Sequence, residues 1–136
     1  MSRLKITDLE SLRRAKDFID REYAAPLDIS AMASTALMSS AHFSRNFREA
    51  YGETPYSYLM TRRIERAKAF LREGMSVSDA CLAVGCSSLG SFSSRFRELV
   101  GVTPSQYRAR DHRGMESIPS CVSMLATRPR RYSISA

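Results

Sequence analysis

Apolar residues recur at helical spacing through about residue 111, and the polar residues between them mark where each helix starts and stops. Leu9, Leu12, Ala15, Ile19 and Tyr23 form a first stripe. Thr7-Asp8-Leu9-Glu10 has the form of a capping box before it, and Pro26 follows it. Asp28 suits the cap of a short second helix that turns Ile29, Met32, Ala33 and Ala36 inward. After a break at Leu37-Met38, Ser39 caps a third helix with Phe43, Phe47 and Tyr51 toward a core, and Gly52 stops it. Thr54-Pro55 then opens a long helix over Tyr56–Glu73, closed by Gly74. It buries Leu59, Ile64, Ala67 and Leu71, and Arg62, Arg63, Arg66, Lys68 and Arg72 lie on its other faces.

The pattern then returns. Ser76 caps, with Asp79 completing an S-x-x-D box; Gly85 breaks; Ser87 or Ser88 caps again; Phe92, Phe96 and Val100 face inward; Gly101 stops. Thr103-Pro104 begins a last short helix that reaches about Arg110. Phe43, Phe47, Gly52, Thr54, Pro55 and Tyr58 match Phe92, Phe96, Gly101, Thr103, Pro104 and Tyr107, each pair 49 residues apart. Upstream, Ile29, Met32, Ala33, Ala36 and Met38 match Val77, Ala80, Cys81, Val84 and Cys86 at a step of 48. The expectation is an all-α chain of seven helices with two repeated subdomains. They are 1–55 and 74–111, joined by a helix over 56–73 and followed by a basic tail over 112–136. That tail holds Pro119 and Pro129 and no helical stripe; it reads as disordered, or as a short hairpin of Cys121–Ala126 and Tyr132–Ile134.

Composition narrows the function. The chain has 136 residues, 43% hydrophobic, enough for one ordinary globular unit or two very small ones sharing a helix. No apolar run is long enough to span a bilayer, so a soluble, cytoplasmic protein without a membrane partner is expected. Three cysteines give no disulfide framework, and Cys81 and Cys86 stand where the first copy has Ala33 and Met38, which makes them core residues rather than metal ligands. No metal, cofactor or catalytic residue is implied; the two histidines are His42 and His112, and no cysteine has a base beside it in sequence. The net charge is +7, and the excess sits on the first repeat, the long helix and the tail, which points to nucleic acid.

Two short helices with a tight break between them form the helix-turn-helix pattern. The face of the second helix opposite the core is Ala41, Ser44, Arg45 and Arg48 in the first copy, and Leu89, Gly90, Ser93, Ser94 and Arg97 in the second. The double repeat resembles the DNA-binding domain of the AraC/XylS family of bacterial transcription regulators. The resemblance covers about residues 8–110. It rests on Phe92, Phe96, Gly101, Thr103-Pro104 and Tyr107-Arg108, and on Arg63-Ile64 with Ala67.

The resemblance implies a regulator, of the small stand-alone type, that inserts two recognition helices into successive major grooves of double-stranded DNA. The DNA-binding residues it implies are Ser40, Ala41, His42, Ser44, Arg45 and Arg48 in the first motif, and Ser88, Leu89, Gly90, Ser93, Ser94, Arg95 and Arg97 in the second. It also implies an activator that touches RNA polymerase and binds DNA as a monomer, with a dimer through the tail as the alternative. About 18 residues of helix span ~27 Å, against about 34 Å for one turn of B-DNA. Two features depart from the family pattern: Leu37 stands where the second copy has Gly85, and Ser94 stands opposite Arg45. The competing reading is a helical protein-interaction module or antagonist without DNA binding. A third is an enzyme, because the family resembles a segment of alkyl-transfer DNA repair proteins.

Overall fold

The computed structural model describes residues 4–110, which hold seven helices and no strand. They are α1 (Ile6–Glu22), α2 (Ile29–Thr35), α3 (Ser40–Tyr51), α4 (Pro55–Arg72), α5 (Val77–Ala83), α6 (Leu89–Val100) and α7 (Pro104–Ala109). The expected disordered tail or hairpin over 112–136 lies outside the described residues. None of the described helices is long and apolar enough to cross a membrane. The described residues group into two compact units, one up to Met60 and one from Thr61.

Side-chain caps set the helix starts. Asp28 accepts from the Ala31 N–H at 2.7 Å, Ser39 from His42 at 3.2 Å, Thr54 from Ser57 at 3.1 Å and Ser76 from Asp79 at 3.1 Å. Of the two candidate serines before α6, Ser88 is the cap, accepting from the Ser91 N–H at 3.2 Å. Thr103 and Gln106 form a full capping box at α7. The expectation fails at α1. The helix starts before Thr7, with Lys5 as its N-cap, and the Asp8 carboxylate accepts from the Lys5 N–H at 3.2 Å. Leu4 packs on the first core, so the chain is already held there, and Asp8 rather than Glu10 lies three residues past the cap. Leu9 is correspondingly 44% exposed, and the buried stripe of α1 is Leu12, Ala15 and Ile19.

The first core joins that stripe to Met32, Ala33, Ala36, Phe43, Phe47, Tyr58 and Leu59. The second unit buries Ile64, Ala67, Leu71, Ala80, Cys81, Val84, Cys86, Phe92, Phe96 and Tyr107. Each has the same aromatic stack. Phe47 lies 5.6 Å from Phe43 and 5.8 Å edge-on to Tyr58; Phe96 lies 6.0 Å from Phe92 and 5.6 Å edge-on to Tyr107. Edge-on pairs set the positive rim of one ring against the negative face of the next.

The units correspond further than the two matched segments. Leu12, Ala15, Lys16, Ile19 and Asp20 of α1 have counterparts 52 residues on, in Ile64, Ala67, Lys68, Leu71 and Arg72 of α4. The apolar members are buried in both copies. Residues Thr61–Arg72 of α4 thus stand in the second unit as α1 stands in the first.

The charged residues of α4 do not all face solvent. Arg63 is 7% exposed and Lys68 is 5% exposed. Arg63 hydrogen-bonds the Cys86 side chain, and Lys68 lies over the Tyr107 ring at 5.5 Å. Long cationic side chains bury their stems in this way when the head finds a partner. Burial pushes both the Cys81 and Cys86 thiols up, and the Cys81 Sγ donates to the Cys86 carbonyl at 3.6 Å.

Candidate nucleic-acid interface

Each helix-turn-helix is built around a turn that reverses the chain between its two helices. In the first, the Leu37 N–H bonds the Ser34 carbonyl at 3.1 Å and the Met38 N–H bonds the Ala33 carbonyl at 3.2 Å. In the second, Gly85 bonds Leu82 at 3.0 Å and Cys86 bonds Cys81 at 3.0 Å. Both are Schellman closures, which need a left-handed residue just past the helix. Gly85 supplies it with φ 87, and Leu37 supplies it with φ 57.

The turn fixes which way α3 leaves. Phe43 and Phe47 are fully buried, so the opposite stripe must face outward. Ala41, His42, Arg45 and Arg48 are exposed, and Ser40 and Ser44 are half-buried. Ala41, Ser44, Arg45 and Arg48 follow helical spacing and line one face. Beside them Asn46 is turned inward, its amide 3.8 Å from the Met38 sulfur.

On α6 the buried pair is Phe92 and Phe96. Ser88, Gly90, Ser94 and Arg97 are exposed, Leu89 is 47% exposed, and Ser93 is half-buried. Gly90, Ser93, Ser94 and Arg97 repeat the α3 stripe position for position. Arg95 differs from the rest of the set. It is half-buried and runs along its own helix to the Glu98 carboxylate at 3.4 Å.

The two stripes therefore carry different chemistry. The α3 stripe holds two exposed guanidiniums, Arg45 and Arg48, and a hydroxyl. The α6 stripe holds one exposed guanidinium, Arg97, two hydroxyls and a glycine. A Cβ at Gly90 would meet nothing within 4 Å, so packing inside the chain does not require glycine there.

Sequence reasoning did not find the cations around Tyr107. Lys68 and Arg110 lie over its ring at 5.5 and 6.0 Å, and the Arg72 Nη1 donates to its hydroxyl at 2.9 Å. The available signal was the correspondence between α1 and α4, which sets Arg72 where the first unit has Asp20.

Comparison with known proteins bears on this architecture. The family described as a helix-turn-helix domain matches residues 32–110. LumQ of Photobacterium leiognathi, a probable transcriptional regulator, is 28% identical over 93 residues, covering 68% of this chain and 38% of LumQ. This chain spans well under half the length of the curated relatives it matches. Among solved structures, the DNA-binding domain of the global transcriptional factor AdpA, in complex with a target DNA, superposes with a TM-score of 0.70 at 26% identity. An AraC-type DNA-binding domain protein from Chromobacterium violaceum gives the same TM-score and identity. For both, 80% of this chain and 98% of the other are covered. The family match, the AraC-type neighbours and the duplicated helix-turn-helix agree: this chain belongs to the AraC-type helix-turn-helix family of transcriptional regulators.

Proposed function

We propose that the chain binds double-stranded DNA sequence-specifically, with α3 and α6 entering successive major grooves. The observation that carries this reading is the pair of outward stripes, each fixed opposite a buried phenylalanine pair and each bearing exposed arginine. Guanidiniums suit both jobs at such a surface: bidentate pairing to guanine and neutralisation of phosphates. The structure of AdpA with a target DNA supports the choice of ligand.

The α3 residues Ser40, Ala41, His42, Ser44, Arg45 and Arg48 and the α6 residues Ser88, Leu89, Gly90, Ser93, Ser94 and Arg97 are the proposed contacts. Arg95 joins them only by leaving Glu98. Its place on the DNA is at a phosphate, where a shared carboxylate weakens binding without altering sequence preference. The regulator acts in the cytoplasm as an activator that also contacts RNA polymerase, and it binds DNA as a monomer.

Selection of bound sites from random duplex tests the DNA reading, followed by gel shifts across a salt series. The expected result is an enriched site of two segments about one helical turn apart, with affinity falling as salt rises. Absence of enrichment together with salt-independent binding contradicts it. Transcription in vitro from a promoter carrying the selected site tests activation.

A further inference from the structure

Lys16, Tyr58 and Asp20 in the first unit correspond to Lys68, Tyr107 and Arg72 in the second. The first set is balanced. Lys16 lies 5.7 Å over the Tyr58 ring and 3.8 Å from the Asp20 carboxylate, which also accepts from the Tyr58 hydroxyl. The second keeps the lysine and the tyrosine but replaces the carboxylate by a guanidinium. Arg72 donates to the Tyr107 hydroxyl, Lys68 lies over the ring, and Arg110 lies over it as a third cation. Lys68 is only 5% exposed, and among the described residues the carboxylate that Asp20 offers its counterpart Lys16 is replaced by the Arg72 guanidinium. Arg72 and Arg110 both repel it. Glu65 attracts it, and that carboxylate is also 3.8 Å from Arg62.

We infer that Lys68, Arg72 and Arg110 form an oxyanion site beside Tyr107 that takes a phosphate group. The anion supplies beside the Arg72 guanidinium the negative charge that Asp20 supplies in the first unit. Two forked guanidiniums and one ammonium match phosphate oxygens in charge and in donor geometry. Arg108 is not part of the site, because its guanidinium is spent on the Gly74 and Met75 carbonyls at 2.9 Å. The phosphate belongs either to the DNA backbone or to a free phosphate compound. The site itself stands apart from the DNA reading, since its first test uses no DNA.

The test is thermal unfolding of the full chain at pH 7 with inorganic phosphate, against sodium chloride and sodium acetate at equal ionic strength. Wild type gains stability with phosphate beyond both controls, following the logarithmic dependence of a bound ligand. Arg72→Asp, which restores the first unit's carboxylate, loses that gain, and so does Lys68→Met; Arg72→Gln serves if the aspartate variant does not fold. A second arm names the source. If the site holds a backbone phosphate, Arg72→Asp makes the salt slope of duplex binding shallower by about one, and DNA-bound protein no longer responds to phosphate. If it holds a free phosphate, the slope is unchanged and the response to phosphate persists on DNA. An equal gain in acetate, or a phosphate gain that survives undiminished in both Arg72→Asp and Lys68→Met, overturns the inference.

Discussion

Leu37 and Gly85 occupy the same left-handed position in the two helix-turn-helix turns, with φ 57 and 87. Only one of them is suited to it. A Cβ in this region meets the following carbonyl, at a cost of roughly 1–2 kcal/mol. Leu37 recovers little of that by packing, because it is 85% exposed. Leu37→Gly relieves the strain but gains unfolded-state entropy, so the expected net effect is neutral to about 1 kcal/mol stabilising. Urea unfolding measures it. A loss above about 1 kcal/mol would show that the leucine side chain holds the turn together.

Lys68 makes stability depend on alkaline pH. Burial above all, then the neighbouring Arg72, lowers its pKa to about 8 from 10.5; Glu65 opposes the shift and Arg110 adds to it. Between those values the unfolded chain keeps a proton that the folded chain has released. The unfolded state therefore binds more protons, and stability rises with pH across this window. Below about 8 the cost of the charged form is present in full. In a buffer without phosphate, Lys68→Met is expected to stabilise by on the order of 1–2 kcal/mol at pH 7, allowing for the lost contact with Tyr107. Its advantage should shrink toward pH 10.5. A constant difference from pH 7 to 10.5 would mean that the lysine is solvated.

Much of this architecture was legible because it is stated twice. Phe43, Phe47 and Tyr58 predict their own counterparts, and capping residues such as Asp28, Ser39 and Ser76 sit directly before apolar stripes. The strained turn at Leu37 was readable from Gly85 for the same reason. Other features depend on competition between neighbours. The start of α1 lies before Thr7 because Asp8 answers Lys5 and Leu4 is anchored in the core. Lys68 and Arg63 read as solvent-facing because a charged residue on a helix usually is; only the ring of Tyr107 and the thiol of Cys86 show where they go. Arg95 joined the candidate contacts by residue type, and its pairing with Glu98 is a rotamer choice that spacing does not reveal.

Gly90 separates stability from binding. It lies within α6, exposed, with room for a methyl group and with no positive φ to satisfy. Gly90→Ala is therefore expected to stabilise by up to about 0.5 kcal/mol, less than the interior helix preference for alanine because Gly90 is the second residue of α6. If the α6 backbone approaches the groove closely at this point, the same substitution lowers DNA affinity while raising Tm. Measuring both in one variant is decisive: higher Tm with unchanged affinity would mean that the glycine is not there for contact.

Arg45 is expected to carry most of the base discrimination, and the exposed stripes say why. On α3 it is a long, exposed side chain midway along the outward face, with a full guanidinium to offer; Ala41 and Ser44 are short. Its counterpart on α6 is Ser94, beside Gly90 and Ser93, and the guanidinium of the next residue, Arg95, is engaged by Glu98. Arginine paired with both acceptors of guanine contributes about 1–3 kcal/mol of discrimination, and a serine makes one weaker bond. The site should thus be asymmetric, with strong base preference under α3 and weak preference under α6. Arg45→Ala should lose roughly 10- to 100-fold affinity for the selected site and flatten preference at one or two base pairs. Ser94→Ala should leave specificity nearly unchanged. Arg97→Ala should weaken every sequence to a similar degree, with a shallower salt slope, as a phosphate contact does. Titrations of all three variants against single-base changes of the site decide the matter. Equal preference in both halves, or unaltered specificity in Arg45→Ala, would assign the reading of bases to other residues.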